Sequence, residues 1–345
     1  MNNSNKGILV SIRCAVYNHE PFLRQCLDGF VMQKTNFAFE AIVHDDASTD
    51  NSAAIIREYA EKFPDIIKPI YETENQYSKK DGSLTRIMDA AISPSSKYIA
   101  ICEGDDYWID PLKLQKQVDF LETHPDYTMV CCRSKLYSEK DKRYLKEKKE
   151  KGWFFLEGAT LEPKDIIGRG GYYISTCGIL FRKVVRNNYP DYCSACFVGD
   201  YPLQILCAMK GRVYCFAKEM VVYRVNNSLS WTGRQRTDGF SEKRLSNIRS
   251  FVNMYKGFMD EYTQYRGLIK KRMGFYLNMN IPVWGKPENP YNRLYFEEFH
   301  EEMAGFDFAN KLYTKVLMMN NNFLQLVCLL FVRHVLFHKY LMKIL

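Results

Sequence analysis

The chain has 345 residues, 46 % of them hydrophobic and 26 % charged, the composition of a folded globular protein with one large domain or a domain plus an extension. Its net charge of +8 is spread along the chain and gathers on no nucleic-acid-binding motif, so nucleic acid is not expected as a partner. The eleven cysteines lie singly or in apolar runs; the one Cys-x-x-Cys, Cys193 to Cys196, lacks the second pair or histidine of a zinc site, and the usage fits a reducing compartment.

Residues 8–16 read as a buried strand. Asn18-His19-Glu20-Pro21 opens a helix, with proline where a missing N–H costs little, and Leu23, Cys26, Leu27, Phe30 and Val31 recur at helical spacing. A second strand, 39–44, ends in Asp45-Asp46-Ala47-Ser48-Thr49-Asp50 and leads into a helix over about 52–62. Strands follow at 66–71 and 98–102, and Asp110-Pro111 starts a helix carrying Leu114, Val118 and Leu121. Strands alternating with helices predict a mostly parallel sheet covered on both faces, with both acidic loops at one edge.

The stretch 135–151 carries eight Lys or Arg against four acids and reads as an exposed, mobile segment. Residues 172–181 and 213–224 read as further strands, with a helix between them starting at Gly199-Asp200-Tyr201-Pro202. From about 240 the pattern is helical and basic, and no acidic residue follows Asp307. Phe323–Val332 is apolar except for Gln325, which suits either a helix lying on a membrane surface or one packed on protein. His334 and His338 stand four apart without a third ligand, which argues against zinc. The polar N-terminus has no signal-peptide core and no run of 18 apolar residues occurs, so a cytoplasmic protein is expected.

The most informative stretch is 98–108, where an apolar strand releases Glu103, Asp105 and Asp106, followed by Tyr107 and Trp108. Open α/β sheets bind ligands beyond the carboxyl ends of their strands. Hard carboxylate oxygens there suit Mg²⁺ or Mn²⁺ bridging a substrate's phosphates, and three such charges repel one another unless a cation sits among them. Asp45 and Asp46 can cap a loop or accept a hydrogen bond from a nucleotide base. No glycine follows the first strand, which argues against a dinucleotide or phosphoryl-transfer loop.

The order strand, Tyr17-Asn18-His19-Glu20, helix, strand, Asp45 to Asp50, then Glu103-Gly104-Asp105-Asp106, resembles the family 2 glycosyltransferases of the GT-A fold over about residues 8–232. The resemblance implies an α/β catalytic domain over 1–235, with a nucleotide half at about 8–110 and an acceptor half at about 111–235, and a helical region over 236–345. It implies metal-dependent, inverting transfer from a nucleotide-sugar, most simply a UDP-sugar, to a saccharide or lipid-linked saccharide of a surface polysaccharide or lipopolysaccharide. The setting would be the cytoplasm or the cytoplasmic face of the inner membrane, touched through the basic C-terminal helices. A non-catalytic sugar-nucleotide-binding or scaffold protein of the same fold is the alternative.

By the same resemblance Asp46 would bind the uracil N3–H, Val16 and Tyr17 would flank the ring, and Glu20 would lie near the base or ribose. Glu103-Gly104-Asp105 looks like the family's Asp-x-Asp, with Asp105 on the Mn²⁺ or Mg²⁺ and Glu103 near the ribose or a metal-bound water. Asp200 matches the acid that takes the acceptor's proton; the plainer reading is a helix cap. Arg224 would offset phosphate charge or form a structural ion pair, and Asn226 stands where many relatives have histidine. Trp108, Thr176 and Trp231 would border the sugar or acceptor, with a core position the alternative for Trp108.

Overall fold

The computed structural model describes residues 7–79, 81–145, 158–227, 241–280 and 290–304. The chain divides into two compact units, Met1–Thr237 and Asp238–Leu345. In the first, strand β1 (Ile8–Val16) buries Val10, Ile12, Cys14 and Val16 on one face, as a period of two requires. Helix α1 (Glu20–Val31) covers that face with Leu23, Cys26, Leu27 and Phe30. Strand β2 (Ala38–Asp45) pairs parallel with β1, helix α2 (Ser52–Lys62) returns the chain, and β3 (Ile67–Tyr71) pairs parallel with β2. Two short helices, α3 (Gln76–Lys79) and α4 (Ser83–Ala90), occupy a stretch where the sequence reading placed no element.

Strand β4 (Tyr98–Ile101) lies parallel to β1 on its other side, followed by β5 (Tyr107–Trp108) and helix α5 (Lys113–Thr123). Strand β6 (Tyr127–Ser138) was not expected; it turns into β7 (Arg143–Tyr144), which pairs back onto it. The first part of the charged stretch 135–151 is therefore sheet and hairpin rather than irregular chain, with residues 140–144 exposed as expected, and 146–151 lie outside the described residues. Short β8 (Ala159–Leu161), helix α6 (Pro163–Arg169), β9 (Leu180–Arg182), helix α7 (Asp191–Ser194), helix α8 (Asp200–Lys210) and long β10 (Arg212–Val225) complete the unit.

The strand expected over 172–181 is a 3₁₀ turn, Thr176–Gly178, leading into β9. Side chains take the place of a ladder there. The Trp108 indole N–H donates to the Cys177 carbonyl at 2.9 Å, Gln117 donates to that of Gly178 at 2.9 Å, and Gln204 to that of Ile174 at 3.3 Å.

The strand order is β3-β2-β1-β4-β9-β6-β10-β5. Strand β9 runs antiparallel to both β4 and β6, and β6 is parallel to β10. Two reversals restore direction, so β1, β2, β3, β4, β6 and β10 all end at the same edge. Val16, Asp45, the segment after Ile101, Ser138 and Val225 thus converge there. This is a GT-A-type sheet with flanking helices.

In the second unit three helices, Glu242–Glu261, Arg266–Met279 and Pro290–Ala304, pack on one another. Phe251 stacks on Tyr276 at 4.4 Å, and the Tyr295 hydroxyl donates to the Leu277 carbonyl at 2.6 Å. Among the described residues no helix is long and apolar enough to cross a membrane. Phe323–Val332, His334 and His338, on which the membrane and zinc readings rested, lie outside the described residues, as does Trp231.

Candidate active site

The acidic turn is pinned by backbone bonds. The Cys102 N–H donates to the Arg13 carbonyl at 3.1 Å, that of Gly104 to Ala15 at 3.0 Å, and that of Asp106 to Glu103 at 3.1 Å. Gly104 is pressed onto the end of β1: a Cβ there would stand 2.8 Å from His19 Nδ1 and 3.0 Å from Val16 Cγ2, so only glycine fits without a shift. Asp106 is buried and accepts the Arg224 backbone N–H at 2.8 Å.

The Arg224 guanidinium lies behind this turn. It donates to the Asp105 carbonyl at 2.6 Å, to Glu139 at 2.7 Å and to the Gln25 side chain, between the rings of Phe22 and Tyr107 at 4.9 and 4.6 Å. Those contacts correct the phosphate reading: Arg224 is a buried structural cation that fixes the turn. Asn226 takes a left-handed backbone conformation, φ 53°, and donates to Ser138 at 3.2 Å, which closes the end of β10 onto β6.

Asp200 opens α8 at the same edge. One carboxylate oxygen accepts the Tyr201 N–H at 2.8 Å and the other the Thr176 hydroxyl at 2.9 Å, so the 3₁₀ turn orients it. Burial raises its pKa above the usual carboxylate range, against the lowering effect of these two bonds. Glu103 is raised as well, because protein surrounds it on most sides and Asp105 and Asp200 add like charge, although it keeps solvent access. Asp106 is raised by its burial and by Asp105. Glu103, Asp105, Asp106 and Asp200 therefore form one electrostatic cluster.

Among the described residues neither the Glu103 nor the Asp105 carboxylate accepts a hydrogen bond. Two unmatched carboxylates in an uncompensated negative field fit a hard divalent cation. No group of three His, Cys, Asp or Glu side chains among the described residues could hold a metal by itself. The remaining positions of such an ion would fall to substrate oxygens and water.

The ends of β1 and β2 meet the next part of the edge, and here the polar groups are paired. The Asp46 N–H donates to the Val16 carbonyl at 2.9 Å, and both Asp46 carboxylate oxygens accept backbone N–H groups, of Gln76 at 2.6 Å and Tyr77 at 3.1 Å. Asp46 thus caps α3, the plainer of its two readings, while each of its oxygens keeps a further lone pair; Asp45 keeps one buried oxygen without a partner. Glu20 accepts the Asn51 backbone N–H at 3.1 Å and its side-chain amide at 2.7 Å, so it joins the starts of α1 and α2. Val16 is buried and Tyr17 half-buried beside them.

Trp108 belongs to the core. Its ring is 2 % exposed, packs edge-on to Phe30 at 4.9 Å and carries the Lys113 ammonium at 4.0 Å, which overturns the sugar-pocket reading. Gln25, Glu139 and Tyr223 belong to the site's surroundings and were not singled out from sequence. Alternation along β10 offered a signal for the last: if Arg224 faces α1, Tyr223 faces the opposite way.

Residues 11–188, about half of the chain, match the glycosyl transferase family 2 signature. An uncharacterized Mycobacterium tuberculosis protein is 34 % identical over 215 residues, 62 % of this chain and 58 % of that protein, so the chain spans less than two thirds of this relative's length. WfaP of Escherichia coli, named as a UDP-Glc:alpha-D-GlcNAc-diphosphoundecaprenol beta-1,3-glucosyltransferase, is 32 % identical over 177 residues, covering 51 % of this chain and 60 % of that one. The structure of Staphylococcus aureus TarS residues 1–349 with UDP-GlcNAc superposes with a TM-score of 0.66 at 12 % identity, over 96 % of this chain and 92 % of that one, a likeness of fold. The chain belongs to glycosyltransferase family 2.

Proposed function

We propose that this protein transfers a glycosyl unit, with inversion, from a UDP-sugar to a saccharide or lipid-linked saccharide of a surface polysaccharide or lipopolysaccharide. The observation that carries the reading is the pairing of Asp200, oriented by Thr176 and Tyr201, with the acidic turn at Glu103 and Asp105. Asp200 is the general base. As the acceptor oxygen bonds to the sugar's anomeric carbon, its proton passes to a carboxylate oxygen of Asp200 while the bond to the diphosphate breaks. A raised pKa makes Asp200 a stronger base than an ordinary aspartate, at the cost of activity in acid.

Glu103 and Asp105 would hold Mn²⁺ or Mg²⁺, which when bound neutralises the departing diphosphate. Arg224 keeps the Asp105 peptide, and with it the carboxylate, in place. One general base suffices because the leaving group needs no proton, unlike the two carboxyls of a glycoside hydrolase. WfaP supports UDP as the nucleotide and a diphospholipid-linked saccharide as the acceptor class through its name, and TarS supports UDP-GlcNAc binding on this fold.

The test is Asp200→Asn, assayed with Mn²⁺ and UDP-sugars against saccharide acceptors. Transfer falls by about 10²-fold or more, while UDP affinity measured by calorimetry stays within about threefold. Unchanged turnover removes Asp200 as the base.

A further inference from the structure

Tyr223 stands beside the acidic cluster and takes no part in the chemistry described above. It lies two residues from the end of β10, between Val222 and Arg224. The Arg224 side chain projects toward α1, where it meets Phe22 and Gln25, so the intervening period of two directs Tyr223 to the other face of the strand. The turn Thr176–Gly178, which orients Asp200, packs against β10, and the Cys177 thiol contacts the Val222 carbonyl at 4.0 Å. The phenol is half-buried against the core, and its hydroxyl has no hydrogen-bond partner among the described residues. Burial raises its pKa first, and the charges of Asp106, Glu103, Asp105 and Asp200 add to the effect.

A protonated hydroxyl beside four carboxyls is a donor in a field of acceptors, and yet among the described residues none of those carboxyls takes its hydrogen bond. Carboxylates cannot donate when ionised, so the ionised members of the cluster cannot themselves hydrogen-bond a sugar oxygen that serves as an acceptor. The place where the cation-binding pair and the base both reach is also where the transferred sugar must stand in the reaction proposed above. We infer that the Tyr223 hydroxyl donates a hydrogen bond to an oxygen of the donor's glycosyl unit, making it a substrate-contacting residue that distinguishes UDP-sugar from UDP. This rests on the glycosyltransferase reading.

The experiment is calorimetric titration, with Mn²⁺ present, of UDP and of UDP-glucose, UDP-galactose and UDP-GlcNAc into the wild-type chain and Tyr223→Phe. Phenylalanine keeps the ring's packing, so the variant folds, and circular dichroism with a melting curve checks this. The expected result is unchanged affinity for UDP and a loss of about fivefold or more for the sugar nucleotide that the wild type binds best, the scale of one hydrogen bond. Wild-type affinity of Tyr223→Phe for both UDP and that sugar nucleotide overturns the assignment, as does an equal loss for both. A wild-type chain that binds none of the four overturns the glycosyltransferase reading itself, and this assignment with it.

Discussion

Two acidic loops at one edge of the sheet use the same side chains in opposite ways. In the loop after β2 and its neighbour at the start of α1, the carboxylates of Glu20, Asp46 and Asp50 accept six N–H bonds between them, and the pKa of Asp50 is lowered. In the turn after β4, Glu103 and Asp105 accept none among the described residues, and Glu103 is raised. Matched carboxylates build a floor; unmatched ones are held ready for something that arrives with the opposite charge. Counting acids in a sequence cannot separate the two. Counting their donors in the structure does.

The contrast is sharpest when one of the unmatched charges is removed. Glu103→Gln should weaken Mn²⁺ binding by about tenfold or more, measured by calorimetry in the presence of UDP, while the metal-free protein becomes more stable at pH 8. The sign follows from linkage. A carboxyl whose folded pKa lies above its unfolded one binds more protons when folded, so its contribution to stability declines as pH rises through that interval. Thermal melts of the metal-free protein should therefore show the wild type losing ground to Glu103→Gln from pH 5 to pH 8. A variant less stable than wild type at pH 8 would contradict the picture of an unmatched site.

The matched loop should respond in the reverse sense. Asp50 accepts the Glu20 and Ser52 N–H groups at 3.0 and 2.9 Å, and its lowered pKa means stability present above its unfolded value and lost as pH falls through the folded one. Asp50→Ala should cost about 1–2 kcal/mol at pH 7 in urea denaturation, with the gap to wild type closing near pH 3. The smallest effect belongs to the hydroxyl that steadies the base. Thr176→Val removes a bond that lowers the pKa of Asp200, so kcat should fall about threefold to tenfold and the acid limb of the pH–rate profile should move to higher pH. An acid limb that stays in place would detach Thr176 from the base.

Much of the nucleotide half was legible because its signals are local. The apolar run 8–16, the helical spacing from Leu23 to Val31 and the release of acids after Ile101 each report a single element, and each appears where expected. What failed depended on partners distant in sequence. Arg224 is bound by Asp105, Glu139 and Gln25, none of which lies within 80 residues of it. Trp108 needed Cys177 and Asp46 needed Gln76 before either could be recognised as already engaged. The stretch 135–144 is polar in composition, but 135–138 pair with β10 and carry 143–144 as a hairpin, so long-range ladder bonds overrode its local character.

Gly104 leaves no slack between the acidic turn and the end of β1, since its backbone is seated on Ala15 while Val16 and His19 crowd the space a side chain would fill. Displacing the turn sideways therefore drags the start of α1 along, and the reverse. The two ends of the edge form one stiff caliper, its jaw spacing set by a main-chain bond and by packed side chains with no room to adjust.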